Sequence, residues 1–153
     1  MPAVVLDRQS RVPVDPRRLA RAADRALAAL GRPGADVEVL VVDDAEIRRL
    51  NARWRGVRRP TDVLAFPLEI AAAAGGLVGQ IVISADTARG QARAVGVPAA
   101  LELDLLVTHG VLHLAGYDDR DPVEARLMHQ REREILSAGG RRLPARLWHG
   151  LLP

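Results

Sequence analysis

The segment from Thr108 to Asp121, THGVLHLAGYDDRD, constrains the fold more than any other part of the chain. It continues an apolar run that begins at Leu101. On a helix drawn through this run, leucine and valine side chains cover most of the circumference, so the helix must be largely buried. The sequence therefore predicts a buried central helix over about residues 99–115, against which the other elements pack.

Two of the four histidines, His109 and His113, lie in this helix. Residues four apart project from the same side, one turn apart. Buried imidazoles must be hydrogen-bonded, ligate a metal or face a cleft, so the pair alone favours a structural role over a metal site. Gly116 allows the chain to turn back, which brings Asp118 or Asp119 toward the pair. Three protein ligands and an open position are typical of a catalytic zinc site.

The residue after His109 is Gly110. A metallopeptidase with an H-E-x-x-H motif carries its general-base glutamate at that position. The sequence therefore argues against peptide hydrolysis by that mechanism.

Composition limits the alternatives. A chain of 153 residues with 48% hydrophobic and 27% charged residues is typical of one globular domain. No apolar run approaches the roughly 20 residues that span a membrane, and the N-terminus lacks a secretory signal, so we expect a cytoplasmic protein without membrane contact. Cysteine is absent, which leaves histidine, aspartate and glutamate as metal ligands.

The charge balance is compatible with a polyanionic partner. All 22 basic residues are arginine, the net charge is +3, and the guanidinium group suits phosphate. Aromatic residues make up only 3% of the chain, which argues against a base-stacking platform. Any contacts with RNA are therefore expected mainly at phosphates.

The pattern along the chain predicts an α+β fold, with a mixed, roughly four-stranded sheet covered by about five helices. Residues 1–153 form one domain, and residues 141–153 are expected to be a loosely packed, arginine-rich tail. Trp54 is predicted to lie in the core or at a helix end, and His129 and His149 at the surface. Glu102 shares the helical face of His109 and is predicted either to support the site or to be exposed.

Several segments together resemble a known family. HGVLHLAGYDD is similar to the HGxLHLxGYDH signature of the YbeY family of rRNA-maturation endoribonucleases. The segment from Pro60 to Pro67, PTDVLAFP, resembles that family's PTDVLSFP, and VGQIVIS at 78–84 resembles its LGDIVIS strand. Residues 124–136 fit its E…M…E..IL closing helix, and the resemblance spans residues 36–138 in order.

The resemblance implies a zinc-dependent endoribonuclease that acts on single strands, in 3′-end processing of small-subunit rRNA and in ribosome quality control. Its partners would be rRNA and the small ribosomal subunit, and the oligomeric state is left open. The family's three metal ligands fall on His109, His113 and Asp119. The family's functionally important arginine falls on Arg55. We predict that His109, His113 and Arg55 are the catalytic residues. Further substrate contacts are predicted for Arg58, Arg59, Thr61 and Asp62.

Three positions depart from the family pattern: Asp119 replaces the third histidine, Gln80 an aspartate and Ala65 a serine. Aspartate is an acceptable zinc ligand, but its negative charge weakens activation of a bound water and favours harder ions such as Mn²⁺ or Fe²⁺. Two other functions stay open. One is a non-catalytic ribosome-assembly factor with a structural or weak metal site, and the other is a hydrolase of peptides or small esters.

Overall fold

A computed structural model of the chain describes residues 3–32, 35–56, 62–67, 78–138 and 140–150. Its strands are β1 (Val4–Asp7), β2 (Asp36–Val42), β3 (Val63–Pro67) and β4 (Val78–Ser84). Its α-helices are α1 (Pro16–Ala29), α2 (Asp44–Arg55), α3 (Ala85–Val95), α4 (Ala99–Leu114) and α5 (Pro122–Leu136), and a 3₁₀ helix follows at Ala145–Gly150. Within these ranges the predicted α+β class, with four strands and five helices, is confirmed.

Side chains that bond to free backbone N–H groups mark the starts of four of the five α-helices, α4 being the exception. Asp15 accepts hydrogen bonds from the backbone of Arg17 and Arg18, and Pro16 occupies the first position of α1. Asp43 and Asp121 begin α2 and α5 in the same way. Ser84, the last residue of β4, caps α3 through Thr87 N, so the chain passes directly from strand to helix.

The sheet has the order β1-β2-β4-β3. The first three strands are parallel, and β3 pairs antiparallel with β4 from Val63 opposite Ile83 to Pro67 opposite Gly79. The sheet is therefore mixed, as predicted, and β3 is one of its two edges.

The two faces of the sheet pack against different helices. Val39 and Ile81 contribute to the main core, which also contains residues of α1, α4 and α5. The alternate residues Leu40 and Val82 form a smaller cluster with Ile47 of α2 on the opposite face. Helices α2 and α4 thus lie on opposite sides of the sheet.

Helix α4 is buried at every residue from Leu101 to Leu112. It approaches the sheet closely at Gly110, where a Cβ atom would lie 2.7 Å from Cγ2 of Ile81. Glycine at this position lets the helix approach β4, and this leaves no space for the glutamate of an H-E-x-x-H motif.

Two residues of the C-terminal segment, Leu147 and Trp148, do not fit the expectation of a loosely packed tail. Leu147 is fully buried and Trp148 is 9% exposed, in a cluster with Leu105 of α4 and Leu136 of α5. Arg141 donates a 2.9 Å hydrogen bond to Asp104, a buried carboxylate that Arg18 also binds. Apolar burial and ion pairing thus both attach this segment to the core.

No single helix in the described ranges is long and apolar enough to span a membrane. Helices α3 and α4 reach that threshold only when taken together, and they are bent by 118° at the break between them.

Candidate metal centre

Three ligand atoms converge at the C-terminal end of α4. The Nε2 atoms of His109 and His113 lie 3.0 Å apart. Oδ2 of Asp119, from the turn after α4, lies 3.3 Å from Nε2 of His109 and 3.7 Å from Nε2 of His113. The structure therefore brings the predicted set of His109, His113 and Asp119 together.

Hydrogen bonds to the other ring nitrogens orient both imidazoles. Nδ1 of His113 donates to the backbone carbonyl of Tyr117 at 3.0 Å. Nδ1 of His109 donates to the Glu132 carboxylate at 2.6 Å. With a proton held on each Nδ1, both Nε2 atoms face one point beside the anionic Asp119, and each can offer a lone pair to a cation there. Three acceptor atoms at this spacing repel one another unless a proton or a metal ion lies between them.

The spacing fits a metal ion. Four ligands placed tetrahedrally about 2.0–2.1 Å from zinc are separated by about 3.3 Å. The separations of 3.0, 3.3 and 3.7 Å between the three ligand atoms bracket that value. The donor set of two imidazoles and one carboxylate suits Zn²⁺ and also other divalent transition metals.

The electrostatics of the three groups favour positive charge at this point. Burial by itself would lower the pKa of His109, but hydrogen bonds to Asp119 and Glu132 outweigh it and raise that pKa to about 9. Burial and the neighbouring His109 lower the pKa of His113. The hydrogen bond from His109 lowers the pKa of Asp119, which is therefore a carboxylate at neutral pH.

These ligands face an open cavity of about 560 Å³. The cavity passes the edge strand β3, with the histidines of α4 on one side and Trp54 of α2 on the other. Its remaining lining includes Asp62, residues 63–66, and the turn from Gly116 to Arg120. The site is thus accessible to a substrate much larger than water.

The other predicted site residues are close in the sequence to residues that line this cavity, but the structure describes only some of them. Asp62 lines the cavity and is 2% exposed, and Nε2 of Gln91 lies 3.4 Å from its Oδ2. Arg55 is the last residue of α2, directly after Trp54, and its side chain lies outside the described part of the structure. Arg58, Arg59 and Thr61 also lie outside the described residues.

Sequence reasoning placed two side chains only in part. Trp54, predicted to lie in the core or at a helix end, is the penultimate residue of α2, but it is 61% exposed and lines the cavity. His129, predicted at the surface, donates a 2.7 Å hydrogen bond to the buried Glu132. The burial of Glu132 could have been predicted from the sequence. Glu132 is a charged residue on the otherwise apolar side of α5, beside Met128 and Ile135.

The other two departures from the family pattern are not in the ligand set. Gln80 donates a 2.8 Å hydrogen bond to Glu38, the residue opposite it on β2. Ala65 lines the cavity on β3. The substitution at residue 119 is the one that enters the ligand set.

The chain matches a family model described as Endoribonuclease YbeY over residues 5–140. Endoribonuclease YbeY of Geobacter metallireducens is 38% identical over 142 residues, which cover 90% of this chain and 95% of that protein. The chain belongs to the YbeY family. The YbeY protein of Anaeromyxobacter dehalogenans is 47% identical over 124 residues, covering 81% of this chain, and this match spans only 64% of the relative.

A solved structure has the same fold. TM1509 from Thermotoga maritima aligns with 96% of this chain and 89% of its own, with a TM-score of 0.61 and 25% sequence identity. The α+β architecture is thus found in an experimentally determined structure.

Proposed function

We propose that this YbeY-family chain is a metal-dependent endoribonuclease that cleaves single-stranded RNA during rRNA maturation. In this proposal it acts in the cytoplasm on the 3′ end of small-subunit rRNA, as part of ribosome assembly and quality control. The observation that carries the proposal is the convergence of His109, His113 and Asp119 at the wall of an open cavity. The family membership supports the choice of RNA as the substrate.

His109, His113 and Asp119 would hold one ion, with zinc as the first candidate and Mn²⁺ or Fe²⁺ as alternatives because of the carboxylate. When bound, the ion would supply Lewis-acid chemistry, polarising a water molecule and a phosphodiester oxygen. Nδ1–H of each histidine keeps the other nitrogen available as a ligand. Asp119 Oδ2 faces both histidines, so Oδ1 is a candidate acceptor for the proton of the attacking water.

Arg55 would stabilise the negative charge that develops on the scissile phosphate. Arg120 also lines the cavity, but its guanidinium group is bound to Asp118 at 2.7 Å. The described lining otherwise carries acidic groups, Asp62 and Asp119 among them. Arg55, Arg58 and Arg59 are therefore the proposed sources of positive charge for the RNA backbone, with Thr61 and Asp62 beside them.

The opposite wall offers a contact for a base. Trp54 is 61% exposed, and its ring meets Phe66 edge-on at a centroid distance of 6.2 Å. The Arg53 guanidinium lies 5.2 Å from the indole centroid. In this proposal an unpaired base stacks on Trp54, while Arg53 neutralises the adjacent phosphate. This arrangement favours single strands, whose bases are free to stack.

The central experiment measures metal content and RNA cleavage together. His113→Ala removes one ligand and should lower both the bound metal and the cleavage of an unstructured rRNA fragment by at least about 100-fold. Asp119→His keeps three ligands and serves as the matched control, which should retain both. Wild-type cleavage by a variant shown to be free of metal would contradict the mechanism, and metal binding without RNA cleavage would favour a non-catalytic assembly factor.

A further inference from the structure

Glu132 of α5 is a fully buried carboxylate. Every described neighbour within hydrogen-bonding distance of its oxygens is a donor. Its Oε2 accepts from Nδ1 of His109 at 2.6 Å. Its Oε1 accepts from Nδ1 of His129 at 2.7 Å and from the indole Nε1 of Trp148 at 3.0 Å. We propose that Glu132 is a positioning residue for the metal ligand His109, and that Trp148 of the C-terminal segment holds Glu132 in place.

Burial of the Glu132 carboxylate has an energetic cost that its neighbours must offset. Removing a carboxylate from water costs several kcal/mol unless charged or polar donors compensate it. Here one donor lies 2.6 Å from Oε2, and two donors lie 2.7 Å and 3.0 Å from Oε1. The side chain is therefore a buried anion, held by three donors from α4, α5 and the 3₁₀ helix.

The Glu132 carboxylate sets the orientation of the His109 imidazole. An anionic acceptor at 2.6 Å keeps a proton of His109 on Nδ1, so Nε2, which faces His113 and Asp119, is the nitrogen available to a metal ion. The bond also fixes the rotation of the imidazole ring. Carboxylates in this position raise the basicity of a histidine ligand, and their loss commonly weakens metal binding by 10–100-fold.

Hydrogen bonds link the C-terminal segment to the metal centre. Without Trp148, Oε1 of Glu132 would retain only His129, which comes from the same helix. The indole N–H approaches from outside α5, and Leu147 and Trp148 are packed into the core beside it. The Arg133 guanidinium lies 4.7 Å from the indole centroid and covers the ring. The path from Trp148 through Glu132 to His109 consists of two hydrogen bonds.

A second metal site is also conceivable by distance, because ligand atoms of His109, His129 and Glu132 lie close together. The hydrogen bonds argue against that role. Both histidines present Nδ1 to the same carboxylate, and their rings are nearly parallel, at 20°. The indole N–H of Trp148, which cannot ligate a metal, also donates a hydrogen bond to Oε1 of Glu132. The group is therefore assigned as a hydrogen-bond network that supports a single site.

The inference rests on the proposed metal centre, so the test begins by measuring metal binding to the wild-type full-length chain. Affinities for Zn²⁺ and Co²⁺ are obtained by competition with a chelator, together with the visible spectrum of the Co²⁺ form and the thermal midpoint. Glu132→Gln should weaken binding by about 10–100-fold and alter the Co²⁺ spectrum. Trp148→Phe keeps the ring but removes the N–H group, and should weaken binding by about 3–10-fold.

Leu147→Val is the matched control, because it loosens the same segment without touching the hydrogen bonds. It should lower the thermal midpoint and leave the metal affinity unchanged. Folded Glu132→Gln and Trp148→Phe proteins with wild-type affinity and spectrum would overturn the positioning role alone. An equal loss of affinity in Leu147→Val, or a second ion bound per chain, would also overturn it. A wild-type chain that binds no metal would overturn both this inference and the proposed function.

Discussion

At the scale of single residues, Trp54 lies at the predicted helix end but is exposed in the cavity, where sequence reasoning did not expect a stacking residue. An aromatic content of 3% argues against a stacking platform, yet one of the two tryptophans stands 61% exposed at the wall of the cavity. Composition counts residues without regard to their location. A single indole opposite a metal centre is enough to bind one base.

We expect Trp54→Ala to raise the KM for single-stranded RNA by about tenfold, because stacking on one aromatic side chain contributes about 1–3 kcal/mol per base. Trp54→Phe keeps a ring and should retain most of the affinity. Steady-state kinetics on an unstructured oligonucleotide measures this effect, with metal content and thermal midpoint as controls. An unchanged KM in Trp54→Ala would exclude base stacking there and indicate a protein partner for this surface.

At the scale of secondary-structure elements, the approach of α4 to β4 depends on Gly110. A Cβ atom there would meet three side-chain atoms of Ile81 at 2.7–3.2 Å, and Ile81 is fully buried. We expect Gly110→Ala to reduce the free energy of unfolding by about 1–2 kcal/mol, since overpacking costs about 1–3 kcal/mol and helix propensity returns up to about 1 kcal/mol.

Gly90 provides the matched control, because it lies in α3 and a Cβ atom there would meet nothing within 4 Å. Gly90→Ala should therefore stabilise the protein by up to about 1 kcal/mol. Urea unfolding of both variants separates the packing effect from helix propensity. A stabilising Gly110→Ala substitution would mean that the contact between α4 and β4 is looser than the structure indicates.

The elements were largely predictable from the sequence, because their signals are local. Alternating valines indicate β2, the Asp15-Pro16 pair starts α1, and apolar residues around the helix indicate a buried α4. The ligand set was predictable for a similar reason, since His109 and His113 are one turn apart and Asp119 follows a tight turn. Contacts between distant elements carry no such local signal.

The C-terminal segment shows where local reasoning fails. Its arginines indicated a solvated tail, but Leu147 and Trp148 fill a space between α3, α4 and α5 that exists only after those helices pack. His129 is a similar case, because its partner Glu132 is buried by α4 and by the C-terminal segment. These contacts follow from the tertiary arrangement and not from spacing along the chain.

At the scale of the whole molecule, Glu102 is a buried group whose ionisation couples the stability of the fold to pH. It lies on α4, is fully buried, and neither carboxylate oxygen has a hydrogen-bond partner within the part of the chain that the structure describes. Burial, and then the nearby charge of Asp62, raise the pKa of Glu102 to about 7. In the unfolded chain the pKa returns to about 4.3, so the folded state binds the proton more tightly.

Because the folded-state pKa is raised, the stabilisation from this group is complete below about pH 4 and is lost as the pH rises through about 7. Glu102→Gln removes the titration while preserving the shape of the side chain. Relative to this variant, the wild type should lose about 2–3 kcal/mol of unfolding free energy between pH 4.5 and 8. Urea unfolding at both pH values measures the difference. An equal difference in unfolding free energy between the two proteins at pH 4.5 and 8 would show that folding does not raise the pKa of Glu102.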